Sequence, residues 1–136
     1  MDSSKVRDFI NEHDRFSASN NIRITRAEPG YAEGELVITP DSLNSRNFVQ
    51  GGAIFTLCDL TAAGAANAGN DGMIAMQGSI SFIRPGTGTK LRAVAKQLSR
   101  GRSTGVFAVD VFNDAGKLVA HATINGFATG EPLVKE

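Results

Sequence analysis

Asp59 stands in a stretch with almost no other polar group. Ile54, Phe55, Leu57, Cys58 and Leu60 surround it in sequence. A carboxylate in such company is costly to desolvate, so it needs a partner or a task. Burial raises a carboxyl pKa, which suits it to accept a proton or to attack carbon as a nucleophile. The plainer alternative is an acid paired with a neighbouring strand or exposed at a groove. Upstream, Gly51-Gly52 open the same stretch. Glycine lets a backbone N–H approach a ligand without a Cβ in the way. The first N–H groups of a helix lack intrahelical partners and carry the positive end of its dipole. Such a terminus can hold an oxyanion or polarise a carbonyl. Equally, the two glycines can serve only a tight loop entry.

Other chemistry is sparse. There is no Ser/His/Asp motif, no P-loop and no GxGxxG. His13 falls in a first helix and His121 in a last strand, where both read as surface or edge residues. Cys58, the one cysteine, reads as a small core side chain. One thiol gives no disulfide framework and too few soft ligands for a multi-cysteine metal site, so no metal is expected.

Gly51 and Asp59 are eight residues apart, about 12 Å along one helix, too far to act on one carbon. Two copies of the helix crossing antiparallel near Phe55 would bring Gly51 of one chain to Asp59 of the other. Two equivalent sites then form about a twofold axis, which predicts an obligate homodimer.

The elements that must position these residues follow from the patterning. Val6, Phe9 and Ile10 predict a short amphipathic helix over 3–14, capped by Ser3 or Ser4, with Phe16 continuing its apolar face. Ile22 and Ile24 begin a hairpin that turns at Glu28-Pro29-Gly30 and returns as Tyr31–Thr39. Residues 41–50 read as a polar surface loop. The alanine-rich run Gly51–Ala68 predicts a long helix, apolar nearly all round and therefore buried. Four strands follow, about Met73–Arg84, Lys90–Leu98, Thr104–Asn113 and Lys117–Ala128, with short turns that suggest an antiparallel meander. Residues 131–136 read as a frayed tail. The fold class is α+β, a curved antiparallel sheet wrapped around one long central helix. A single domain spans 1–136, its core about 17–129.

Composition fits this. Lys plus Arg and Asp plus Glu both number 14 in 136 residues, which argues against a nucleic-acid binder working by phosphate neutralisation. Hydrophobic content of 41% argues against disorder. No apolar run approaches the roughly 20 residues of a membrane span, and the first fifteen residues do not resemble a secretory signal. A cytoplasmic protein is expected.

Three motifs in order carry a resemblance. Asn44, then Gln50-Gly51-Gly52-Ala53, then Leu57-Cys58-Asp59 resembles the hotdog-fold acyl-CoA thioesterases, in their phenylacetate-pathway (PaaI-like) branch. Ser81-Phe82-Ile83-Arg84-Pro85-Gly86 is similar to that family's strand and Arg/Pro turn, and Gly116–Ala120 to its final hairpin. The resemblance implies a homodimer, often pairing further into a homotetramer, that hydrolyses acyl-CoA with no cofactor beyond the coenzyme A of the substrate. Gly51 or Gly52 would polarise the thioester carbonyl. Asn44 would position the water or the carbonyl, and Asp59 of the partner chain would activate water or attack carbon directly. The family's usual His before the glycine pair is Gln50 here, which can donate a hydrogen bond but cannot titrate. Some relatives carry a hydroxyl on the strand after the helix. The matching position is Ala75, with Thr61 or Gln77 as substitutes. Arg84, Lys90, Arg100 and Arg102 are candidates for the coenzyme A phosphates, and Phe48, Val49, Phe55 and Leu60 for the acyl group. The competing reading is a non-catalytic acyl-CoA binding or sensing module, favoured by Gln50 and disfavoured by Asp59. A hotdog dehydratase would need a histidine that neither His13 nor His121 supplies.

Overall fold

The computed structural model describes residues 1–135 and opens on helix α1 (Ser3–His13). Val6 and Ile10 are buried as their spacing predicts. The cap is Asp2, not Ser3 or Ser4: its carboxylate accepts from the Ser4 N–H at 2.9 Å. An ionised cap also complements the helix dipole. The apolar face does not continue through Phe16. Asp14 ends α1 and caps a second short helix, α2 (Arg15–Ser19), accepting from the Ser17 N–H, and Phe16 is left 67% exposed.

Strands β1 (Ile22–Glu28) and β2 (Tyr31–Val37) pair around Gly30, whose φ of 80° is a turn conformation that suits glycine. β2 ends two residues before Thr39. A 3-10 turn over Pro40–Ser42 takes over, with the Thr39 and Ser42 side chains each bonding the other's backbone. The long helix α3 covers Gly51–Asn67. Then come β3 (Met73–Phe82), β4 (Lys90–Arg100), β5 (Thr104–Phe112) and β6 (Leu118–Ala128).

The six strands form one antiparallel sheet in the order β1-β2-β4-β5-β6-β3. The last four are therefore not a simple meander. β4, β5 and β6 pair in succession, but β4 lies beside β2, and β3 lies outside β6 at the far edge. Turn residues report that a chain reverses, not which strand it lands beside. Here α3 carries the chain across the sheet face, so the strand after it starts at the opposite edge.

α3 lies in the concave face of this sheet. Leu57, Cys58, Leu60 and Ala65 on the helix pack with Leu36, Leu91, Phe107 and Val109 on the strands in one core. Each large side chain so buried contributes about 1.5–3 kcal/mol. The helix sits closest to β1 and β2. A Cβ at Gly34 would collide with the Thr61 hydroxyl, and one at Gly64 would come within 3.0 Å of Ile24.

At the far end of α3, Asn67 reads the backbone of Met73 from both sides. Its Oδ1 accepts from Met73 N–H at 2.7 Å and its Nδ2 donates to Met73 O at 2.9 Å. The tail is not frayed as far as it is described. Val134 exchanges two hydrogen bonds with the Asn70 side chain, at 2.8 and 2.9 Å. Residue 136 lies outside the described residues.

Candidate active site

The loop before α3 is shaped by its own polar groups. Asn44 Oδ1 accepts from the N–H groups of Arg46 and Phe48, at 2.9 and 3.2 Å, while its own N–H donates to Phe48 O at 2.7 Å. A bridge between Leu43 and Val49 closes the loop, and Val49 is buried rather than solvated. With Oδ1 engaged inside the loop, the Asn44 Nδ2 donors remain for a ligand.

Gln50 is the N-cap of α3. Its Oε1 accepts from the Ala53 N–H at 3.1 Å, and its carbonyl accepts from Ala53 and Ile54. The N–H groups of Gly51 and Gly52 have no protein partner among the described residues. The Gln50 cap accounts for the second glycine: a Cβ at Gly52 would stand 2.7 Å from Gln50 Oε1. A Cβ at Gly51 would stand 3.1 Å from the ring of Phe82. The glycines thus leave two free donors beside the last residue of β3.

Those donors open into cavities. One, of about 390 Å³, is lined by Asn44, Phe48, Gly51, Phe82 and Arg84. A second, of about 410 Å³, runs between α3 and β3 and is lined by Gly52, Phe55, Asp59, Ala75 and Gln77. Of the residues singled out in the sequence, the structure gathers Asn44, Phe48, Val49, Gly51 and Arg84 in the first and Gly52, Phe55 and Asp59 in the second.

Asp59 corrects an expectation. It is exposed in the protomer, not buried, on the side of α3 where cavities open between the helix and β3. Protein around its carboxyl still desolvates it in part. That desolvation, with the like charge of Asp14 adding to it, raises its pKa above the ordinary 3.8. Cys58, one residue earlier, is fully buried, and burial pushes its thiol up to about 12, so it is an inert core residue.

Other expectations fare differently. Thr61 is fully buried, donates to Leu57 O at 2.7 Å and faces β2, so it is not at the site. Gln77 is. Leu60 is buried in the core. Arg100 is spent at the other end of α3: both its Nη groups donate to Ala66 O at 3.2 Å, and it pairs with Asp71 at 3.1 Å. It neutralises the negative end of the helix. Arg102 follows it in the same turn, and Lys90 pairs with Glu35 at 3.2 Å on the sheet. Arg84 alone of the four lines a cavity at the α3 N-terminus, held by a 2.8 Å bond to Leu118 O. The sequence reading missed Phe82 and Thr56. Phe82 looked like any strand residue until the sheet order put it against Gly51. Thr56 donates to Gly52 O at 2.9 Å and lines the same cavity as Asp59.

Known proteins bear on this arrangement. The sequence profile of the thioesterase superfamily matches residues 47–120, which include the whole of α3. The chain is 32% identical over 126 residues to the acyl-coenzyme A thioesterase PaaI of Escherichia coli K12, covering 88% of this chain and 90% of that protein. The solved structure of E. coli PaaI superposes with a TM-score of 0.91 at 27% identity, over 96% of this chain and 95% of that one. A hypothetical thioesterase protein from Streptococcus pneumoniae TIGR4, solved with coenzyme A, superposes with a TM-score of 0.83 at 29% identity, over 93% of this chain and 98% of that one. The order of elements, the central helix with two free amides at its start and these matches agree: the chain belongs to the thioesterase superfamily and is a PaaI-like thioester hydrolase of the hotdog fold.

Proposed function

We propose that this protein hydrolyses acyl-CoA thioesters at sites shared between two protomers. The observation that carries the reading is the pairing, on one helix, of unpartnered Gly51 and Gly52 N–H groups with an outward-facing carboxylate whose pKa is raised. The relatives named for acyl-coenzyme A, or solved with coenzyme A, support the substrate class.

The sheet edge supports the dimer. β3 is the last strand, and Ile74, Met76 and Phe82 on it are 56%, 58% and 55% exposed. An open apolar edge is a template for pairing with a second copy. Antiparallel pairing of two β3 strands about an axis near Ser79 sets Phe82 of one chain across from Met76 of the other. Phe82 lies against Gly51, and Met76 lines the cavity of Asp59. Each Gly51 is thereby carried toward the other chain's Asp59. Pairing of dimers into a tetramer would use the outer sheet face.

In the reaction, the Gly51 N–H, with Gly52 beside it, donates to the thioester oxygen as negative charge develops there. One such donor is worth about 3–4 kcal/mol. Asn44 Nδ2 steadies the carbonyl or the attacking water. Ionised Asp59 takes a proton as the water oxygen bonds to the carbonyl carbon. The C–S bond then breaks, and the coenzyme A thiolate leaves and is protonated, giving the carboxylic acid and free thiol. No metal or further cofactor is needed. Arg84, at the mouth of the Gly51 cavity, is placed to meet the coenzyme A portion. Gln50 holds the loop through its cap and does not titrate.

The test is thiol release from a panel of acyl-CoAs, wild type beside Asp59→Asn. Removing the base lowers turnover about a hundredfold or more. Equal, measurable rates would end the assignment of Asp59, and no thiol release from wild type would leave a binding module.

A further inference from the structure

The loop between β3 and β4, residues 83–89, forms one wall of the Gly51 cavity through Ile83, Arg84, Pro85 and Gly86. The loop before α3 forms another, and the Val49 N–H ties the two by donating to Gly86 O at 2.9 Å. Both ends of the 83–89 loop are held by one further element, the β5–β6 hairpin. At the first end, the N–H groups of Ile83 and Arg84 donate to Val119 O at 2.8 and 3.2 Å. At the second end the hold is a side chain. Asp114 accepts from the Thr89 N–H at 2.6 Å, and the Thr89 hydroxyl stands 3.0 Å from both of its carboxylate oxygens. A turn aspartate ordinarily bonds its own nearby backbone. Here Asn113 does that, its Oδ1 accepting from the N–H groups of Ala115 and Lys117 at 3.0 Å. Asp114 is left to reach a residue 25 positions earlier. The loop is shaped to receive it: Gly88 has a φ of 100°, and a Cβ there would collide with the Asp114 carboxylate.

We propose that Asp114 is a positioning residue for coenzyme A binding: by pinning Thr89 it holds Arg84, Pro85 and Gly86 as a fixed wall beside the Gly51 donors. The proposal rests on the thioesterase reading and gives that site a support from outside its own lining. Two features favour the role. The loop contains Gly86 and Gly88, so leaving it free is entropically favoured. A wall ordered before the ligand arrives spares binding the cost of ordering it. The hold is also charge-assisted, because the Thr89 N–H keeps the Asp114 carboxyl below its ordinary 3.8 and therefore ionised at neutral pH.

The experiment compares wild type, Asp114→Ala, Asp114→Asn and Thr89→Val. Two readouts are taken: kcat and KM for hexanoyl-CoA, and Kd for free coenzyme A by calorimetry, which needs no turnover. Asp114→Ala is expected to raise KM and Kd about fivefold, with kcat kept within about twofold. Asp114→Asn still offers an oxygen to the Thr89 N–H and should restore Kd to within about twofold of wild type. Thr89→Val loses the hydroxyl but keeps the backbone donor, and should raise Kd about twofold. A contact that only stabilises the fold behaves otherwise: its loss removes active protein, which lowers apparent kcat and leaves KM as it was. That pattern in Asp114→Ala, or a Kd unmoved in both Asp114→Ala and Thr89→Val, overturns the positioning role and leaves the thioesterase reading standing where wild type hydrolyses. Wild type that neither binds coenzyme A nor hydrolyses the thioester overturns both.

Discussion

Asp59 shows how far single residues can be read and where they mislead. Its apolar neighbours in sequence marked it as unusual, and that was legible without a structure. They also suggested burial, because sequence neighbours on a helix face different directions and only the fold says which face is covered. The raised pKa has two measurable consequences. First, if ionised Asp59 is the base, kcat/KM falls on acidification with a midpoint above the ordinary carboxylate value of 3.8. A midpoint at or below that value contradicts the assignment. Second, an acid with a raised folded-state pKa holds more protons folded than unfolded between its two pKa values. Stability is therefore lost as pH rises from 3.8 through the folded pKa, and the loss is complete above it. Asp59→Asn removes that loss. Its Tm is expected to exceed that of wild type at pH 7, with the difference shrinking toward pH 3.8 in a calorimetric series. A lower Tm at pH 7 would show that the carboxylate is held by a favourable partner instead.

Among the elements, α3 does most to place the chemistry, and its two ends use charge for different purposes. At the start, Gln50 takes the Ala53 N–H and leaves those of Gly51 and Gly52 free. At the finish, Arg100 answers the Ala66 carbonyl and Asp71. Sequence reading identified the helix, its start and its glycines, because composition and stop signals are local. It could not separate Arg84 from Arg100, since both stand next to turns and only the sheet order decides which end of α3 each meets. The structure makes the two separable by experiment. Arg100→Gln is expected to cost about 1 kcal/mol of stability with the KM for acyl-CoA nearly unchanged. Arg84→Gln is expected to raise KM several-fold, with Tm changed little, as losing one charge-assisted contact implies. The reverse pattern, by steady-state kinetics and thermal melts, would return Arg100 to the coenzyme A site. The strands were legible to within a few residues from alternation and turns. Their partners were not, because pairing is fixed by where α3 delivers the chain.

At the scale of the whole molecule, the proposed activity depends on two chains completing one another. The helix spacing alone suggested it, since Gly51 and Asp59 on one helix stand too far apart to share a carbon. The sheet adds a physical route: an open apolar β3 edge with Phe82 against Gly51 and Met76 near Asp59. The most direct measurement is complementation. Gly51→Pro removes the donor at the first helical position, where proline is otherwise tolerated, and Asp59→Asn removes the base. Each variant alone is expected to be nearly inactive. Co-expressed with different tags in equal amounts, half the dimers pair one variant with the other, and each such dimer holds one intact site of two. Recovery of about one quarter of wild-type turnover in the mixture is the predicted result. A mixture no more active than its two components, with mixed dimers shown to be present, would place donor and carboxylate in the same chain and contradict the shared site.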